Sequence, residues 1–187
     1  GRPDVRMVSL TGVGGVGKTR IARNVAMDVI PLFRDGVWFV DLAPLRDAGL
    51  VVAAIAKTLG VQEHKDRPLA VSLQEYLSSR ELLLVLDNFE HVLRAAHVVS
   101  DLLTACSRVK VLVTSRATLR LVGEYELRIP PMTLPSLEDV ASGRTETEIG
   151  NSEAVRLFLL RAQAAQPNLT MTAEAKLAIA EICLRLD

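Results

Sequence analysis

The chain has 187 residues, enough for a domain with a substantial buried core, so folding requires neither a disulfide nor a metal staple. Its 22 basic and 22 acidic side chains cancel, which argues against a general polyanion-binding surface, and one Trp, two Tyr and four Phe are too few for stacking along a single-stranded nucleic acid. No apolar run approaches the ~18 residues that span a bilayer and no signal-like segment opens the chain, so the expectation is a cytoplasmic protein with no membrane partner.

Val5 to Leu10 reads as a first strand. Directly after it comes TGVGGVGKTR, residues 11 to 20, in which Gly12, Gly17, Lys18 and Thr19 satisfy the spacing GxxxxGK[ST]. The physical need is specific. Successive backbone N–H groups must turn inward around phosphate oxygens, through backbone angles that side chains obstruct, and the helix that follows aims its positive end at the same place. The candidate nucleotide-binding residues are therefore Gly12, Val13, Gly14, Gly15, Val16, Gly17, Lys18, Thr19 and Arg20. Lys18 is expected to reach the β- and γ-phosphates, and Thr19 to ligate Mg²⁺ through its hydroxyl.

Ile21, Val25 and Val29 mark a first helix that Pro31 stops. Val37 to Val40 is a second strand. Val52, Ile55, Ala56 and Leu59 mark a second helix ended by Gly60, and Leu69, Leu73, Tyr76 and Leu77 a third after Pro68. The third strand, Leu82 to Leu86, runs into Asp87, where a carboxylate at the end of a buried strand could anchor Mg²⁺; capping the next helix is the other reading of that residue. Asn88, beside it, cannot act as a base. Glu90 is a candidate catalytic base, although an acidic residue in a first helical turn also has a dipole explanation. Slow hydrolysis is expected.

Val92, Ala96, Val99 and Leu103 suit a fourth helix, and Val109 to Val113 a fourth strand within VKVLVTSR. Arg116, just past it, could contact the γ-phosphate and report its loss, the alternative being a solvated surface charge. Tyr125 to Ile129 is the fifth strand. Four of these five runs are almost continuously apolar, as in strands covered on both faces, and their alternation with helices predicts a doubly wound α/β domain with a mostly parallel sheet. Neither an NKxD element nor a DxxG after Asp87 is present, which favours adenine over guanine and hence ATP/ADP.

After Ile129 the character changes. Residues 1–135 are expected to form the nucleotide-binding domain, 136–152 a linker or surface loop, and 153–187 the first helices of a small helical subdomain, with one stripe at Val155, Phe158, Leu159 and Ala162 and another at Ile179, Ile182, Cys183 and Leu186. The last helix reaches Asp187 without a stop signal, as in a longer chain. Cys106 and Cys183 lack a CxxC partner and read as small buried hydrophobes.

TGVGGVGKTRIA, LLLVLDNFEHV, VLVTSRATLRLVGE and NSEAVRLFLLRA, in this order, resemble the nucleotide-binding domain of STAND ATPases, the class that includes NB-ARC domains, and in wording are closest to the ATPase modules of large bacterial transcription regulators of the LuxR and SARP types. The resemblance implies a three-layer P-loop NTPase fold of AAA+/STAND type with a five-stranded sheet, the strand carrying Arg116 lying between those of the glycine loop and Asp87. It implies a switch between a closed ADP form and an ATP form that self-associates, with DNA bound through other domains. It also assigns base contacts to an upstream Gly-Arg-Glu and a downstream Gly-Leu-Pro; this chain begins Gly1-Arg2-Pro3 and has no Gly-Leu-Pro, so an incomplete base pocket is expected. Two other classes fit the sequence less well. An AAA+-like motor acting on DNA or protein needs a firm catalytic carboxylate beside Asp87, where Asn88 stands, and a small-molecule kinase needs an arginine-rich lid, whereas residues 130–151 contain only Arg144.

Overall fold

The computed structural model describes residues 5–63, 66–136, 152–166 and 172–185. Segments of the sequence analysis at 1–4, 137–151 and 186–187, with most of the expected linker, Arg144 and Leu186, lie outside them. The chain divides into two compact units, Gly1–Pro130 and Pro131–Asp187.

In the first unit the apolar runs form β1 (Met7–Thr11), β2 (Val37–Asp41), β3 (Leu83–Asp87), β4 (Lys110–Ser115) and β5 (Glu124–Arg128). They make one sheet in the order β2-β3-β4-β1-β5, with every neighbouring pair parallel. β4 thus lies between β1 and β3, the arrangement that the resemblance implies. Parallel neighbours need long crossovers, and α1 (Lys18–Val29), α2 (Val51–Leu59), α3 (Leu69–Ser78) and α4 (Ala96–Ala105) lie on those connections. β3 is buried at every position, which is why its sequence shows no polar alternation. β5, whose run is interrupted by charges, is an edge strand with Tyr125 and Leu127 exposed.

The two faces of the sheet pack differently. On one, Val40, Leu84, Leu86, Val111 and Val113 meet Ile55, Leu73, Leu77, Val99 and Leu102 of α2, α3 and α4. On the other, Leu10, Leu83, Val85 and Leu112 meet the alanines Ala22 and Ala26 of α1. The expected α1 stripe is thereby corrected. Val25 is 40% exposed, Ile21 and Val29 pack only partly, and the buried row is Lys18, Ala22 and Ala26. Residues four apart share a helix face, so the row that seats small side chains on the sheet also turns Lys18 inward.

The fourth helix also starts later than its apolar spacing predicts. Asn88 adopts a left-handed conformation (φ 61°), a 3₁₀ segment runs over Phe89–Ala95, and Val92 within it has non-helical angles. Phe89 and Val92 are nonetheless buried, so core packing rather than helical periodicity directs this stretch. Cys106, at the end of α4, is buried; desolvation pushes its thiol up, with the Arg6 charge acting the other way.

In the second unit, α5 (Glu153–Ala165) opens with Ser152, whose Oγ accepts the Val155 N–H at 3.4 Å. Thr133 and Glu153 exchange two hydrogen bonds, the Thr133 N–H donating to Glu153 Oε2 and the Glu153 N–H to Thr133 Oγ1, each 3.0 Å. Val155 packs with Leu134, Leu159 and, from α6 (Ala173–Arg185), Leu177, Ile179, Ala180 and Cys183. Phe158 and Ile182, expected in the stripes, are exposed. No helix among the described residues is long and apolar enough to cross a membrane.

Candidate nucleotide and metal site

The glycine loop leaves β1 at its C-terminal end, the edge where open parallel sheets bind ligands. At Gly12 (φ 153°) a Cβ would lie 2.6 Å from the carbonyl oxygen of Ile129, just past β5, so the backbone approaches too closely for any side chain. Gly17 is the N-cap of α1 in the left-handed region (φ 88°), and its carbonyl accepts the Ile21 N–H at 2.9 Å. The loop therefore passes straight into the helix, whose first N–H groups face the same edge. Val13 and Arg20 are exposed, Val16 partly so.

Lys18 is 8% exposed, and its Nζ donates to the carbonyls of Gly12 and Val13, both at 2.9 Å. Two of the three ammonium donors thus hold the charge inside the curve of the loop, and one is left for a further acceptor.

Asp87, 2% exposed, ends β3. Its Oδ1 accepts from Thr19 Oγ1 at 2.9 Å and from Thr114 Oγ1 at 2.5 Å, and its Oδ2 accepts from Asn88 Nδ2 at 3.2 Å. Thr114 Oγ1 in turn accepts the Asn88 N–H at 2.9 Å. A buried carboxylate is tolerable when it is hydrogen-bonded in this way. The helix-capping reading of Asp87 does not hold, because Asn88 occupies the cap position of the 3₁₀ segment and no side chain caps it. Asn88 has a local reason of its own: asparagine tolerates the left-handed turn, and its amide steadies Asp87.

The Thr19 hydroxyl and the Asp87 carboxylate are hard oxygen donors side by side next to the loop, a donor set that suits Mg²⁺. They come from α1 and β3, so the fold itself assembles the pair. Thr114 escaped the sequence reading as a site residue; its signal was a hydroxyl at the end of an otherwise apolar strand.

Arg116 follows β4. Its Nε pairs with Glu90 Oε1 at 3.4 Å, and its Nη2 lies 3.5 Å from where a Cβ on Gly14 would stand, so one guanidinium faces both the glycine loop and Glu90. The Arg116 side chain is 66% exposed and that of Glu90 14%, and Glu90 Oε2 is buried without a hydrogen-bond partner. A cleft of about 440 Å³ at this edge also reaches Glu90, but it is lined by Arg46, Asp47, His91 and Arg94 rather than by the loop.

Known proteins share this arrangement to different depths. The NB-ARC domain profile matches residues 2–138. A Mycobacterium tuberculosis protein provisionally named an HTH-type transcriptional regulator is 39% identical over 183 residues, 97% of this chain but 19% of that protein; the chain thus spans about a fifth of such relatives. An uncharacterized Mycobacterium bovis protein is 31% identical over 98% of this chain and 43% of its own length. Among solved structures, the ORC2 protein of Aeropyrum pernix has a TM-score of 0.55 at 13% identity, covering 94% of this chain and 60% of that one. Cdc6p of Pyrobaculum aerophilum has a TM-score of 0.54 at 18% identity, covering 95% and 48%. At such identities the structural likeness speaks to the P-loop ATPase fold alone. The profile match over residues 2–138, most of the chain, shows that this chain belongs to the NB-ARC domain family.

Proposed function

We propose that this chain is an ATP/ADP-binding switch module with slow Mg²⁺-dependent hydrolysis, working inside a larger cytoplasmic transcription regulator. The observation that carries the reading is the 2.9 Å contact of Thr19 with Asp87 beside a loop that encloses the Lys18 ammonium. Lys18 and the loop N–H groups bind the phosphates. Thr19 and Asp87 would hold Mg²⁺, which would supply neutralisation of phosphate charge when bound. Arg116 responds to the γ-phosphate from the far side of the loop. The residue after Asp87 is Asn88, which cannot take a proton from water, and Glu90 is engaged by Arg116; both support slow turnover. The regulator names among the relatives support a signalling role, with DNA bound by other domains and self-association in the ATP state of the whole protein.

Thermal melts with Mg-ATP, Mg-ADP and Mg-GTP test binding. Ligand at 100 times its Kd stabilises by about 2.7 kcal/mol, or roughly 5 to 10 °C at this size. Shifts with both adenine nucleotides and a smaller one with GTP are expected; no shift with any at millimolar concentration refutes binding. Single-turnover hydrolysis faster than about 1 per second, in the range of ordinary enzymes, refutes the switch.

A further inference from the structure

We propose that Glu90 is the positioning residue for Arg116: it holds the guanidinium by its Nε side so that the Nη side lies across the glycine loop, where a γ-phosphate is distinguished from its absence. The inference rests on the nucleotide-switch reading above and adds to it the residue that sets ATP-over-ADP preference.

Three observations carry it. The guanidinium is planar and presents donors on two sides; here Nε faces Glu90 Oε1 at 3.4 Å while Nη2 faces the loop at Gly14. A side chain 66% exposed would otherwise sample many rotamers, and the fixed carboxylate removes that freedom before any ligand arrives. Glu90 itself is costly to keep. Its Oε2 is buried with no hydrogen-bond partner, and burying a charged group without full compensation destabilises a fold. A surface acid that merely favoured the first turn of the 3₁₀ segment would point to water; this one is turned inward onto the arginine. Glu90 therefore acts through Arg116 and touches neither nucleotide nor metal. On this reading the Glu90 carboxylate is turned to Arg116 rather than to an attacking water.

The test is calorimetric titration of wild type, Arg116→Ala, Glu90→Ala, Glu90→Gln and the double variant Glu90→Ala/Arg116→Ala, each with Mg-ATP and Mg-ADP, with melts to verify folding. Wild type is expected to prefer ATP, and Arg116→Ala to lose roughly tenfold or more of that preference, the worth of a charge-assisted hydrogen bond. Glu90→Ala is expected to fall to the Arg116→Ala ratio with ADP affinity kept. The double variant should fall no further, as for residues acting as one unit. Glu90→Gln, which keeps the side-chain shape and an amide oxygen toward Nε but loses the charge of the ion pair, should recover part of the preference and shows that folding is not the cause. A wild-type ratio in Glu90→Ala, a loss of hydrolysis with the ratio unchanged, or additive losses in the double variant would each overturn the proposal. Failure of the switch reading looks different: wild type and Arg116→Ala would then already share one ratio, or bind neither nucleotide, and both inferences would fall together.

Discussion

The two halves of the candidate site are made of different material. The glycine loop is backbone, contained within ten consecutive residues, and its shape rests on close approach at Gly12 and a left-handed turn at Gly17. The cluster opposite is side chain: Asp87 meets Thr19 across 68 positions of sequence and Thr114 across 27. What the difference teaches is where each half is vulnerable. The loop fails when backbone geometry or the single ammonium is disturbed, the cluster when one member of a hydrogen-bonded chain is removed.

The largest expected effect tests whether the loop's backbone can work without its lysine. Lys18→Ala should weaken Mg-ATP binding about 100-fold or more by calorimetry, since a charge-assisted contact is lost in a partly desolvated site. Unchanged affinity would mean that the N–H groups suffice.

Gly12→Ala comes next and breaks the loop without touching charge. The new methyl collides with the Ile129 carbonyl, and overpacking of this kind costs about 2 kcal/mol, or a melting point about 4 to 8 °C lower. An unshifted melt would show that the loop is laxer than its geometry.

Asp87→Asn probes the cluster with shape preserved. The difference in ATP affinity with and without Mg²⁺ should shrink about tenfold, because one anionic oxygen donor is replaced by an amide, while binding in EDTA stays near wild type. Equal Mg²⁺ dependence in the variant and wild type would remove Asp87 from the metal site.

Thr114→Val should act least and on stability rather than charge. Asp87 Oδ1 loses a donor and the Asn88 N–H an acceptor, for about 1 kcal/mol, or a melt lowered by about 2 to 4 °C. No change would show that Thr114 adds nothing to the cluster.

Much of this was legible before the fold was seen, for reasons that differ by residue. Strands β1, β3 and β4 were readable because burial on both faces leaves continuous apolar runs, and the loop because its backbone angles demand glycine. The α1 face was misread: bulky Ile21, Val25 and Val29 outweigh alanines in any periodicity, yet close helix-to-sheet packing selects Ala22 and Ala26. The break at Val92 was hidden because its side chain is buried whether or not the backbone is helical. Thr114 was missed because a hydroxyl at a strand end announces no partner until the neighbouring strand is known.

By itself the amino-acid sequence determined the alternation of strands and helices, the glycine loop with Lys18 and Thr19, and a carboxylate and an arginine at the ends of two buried strands. Those features are local, set by periodicity, backbone conformation and the chemistry of consecutive residues. The place of β4 between β1 and β3 was implied by resemblance and not by any local spacing, and only the tertiary structure decided that Asp87 shares its oxygen with Thr19 and Thr114 and that Glu90 pairs with Arg116 beside the loop. Such contacts join residues far apart in the chain, and strand order, which no local spacing encodes, brings them together.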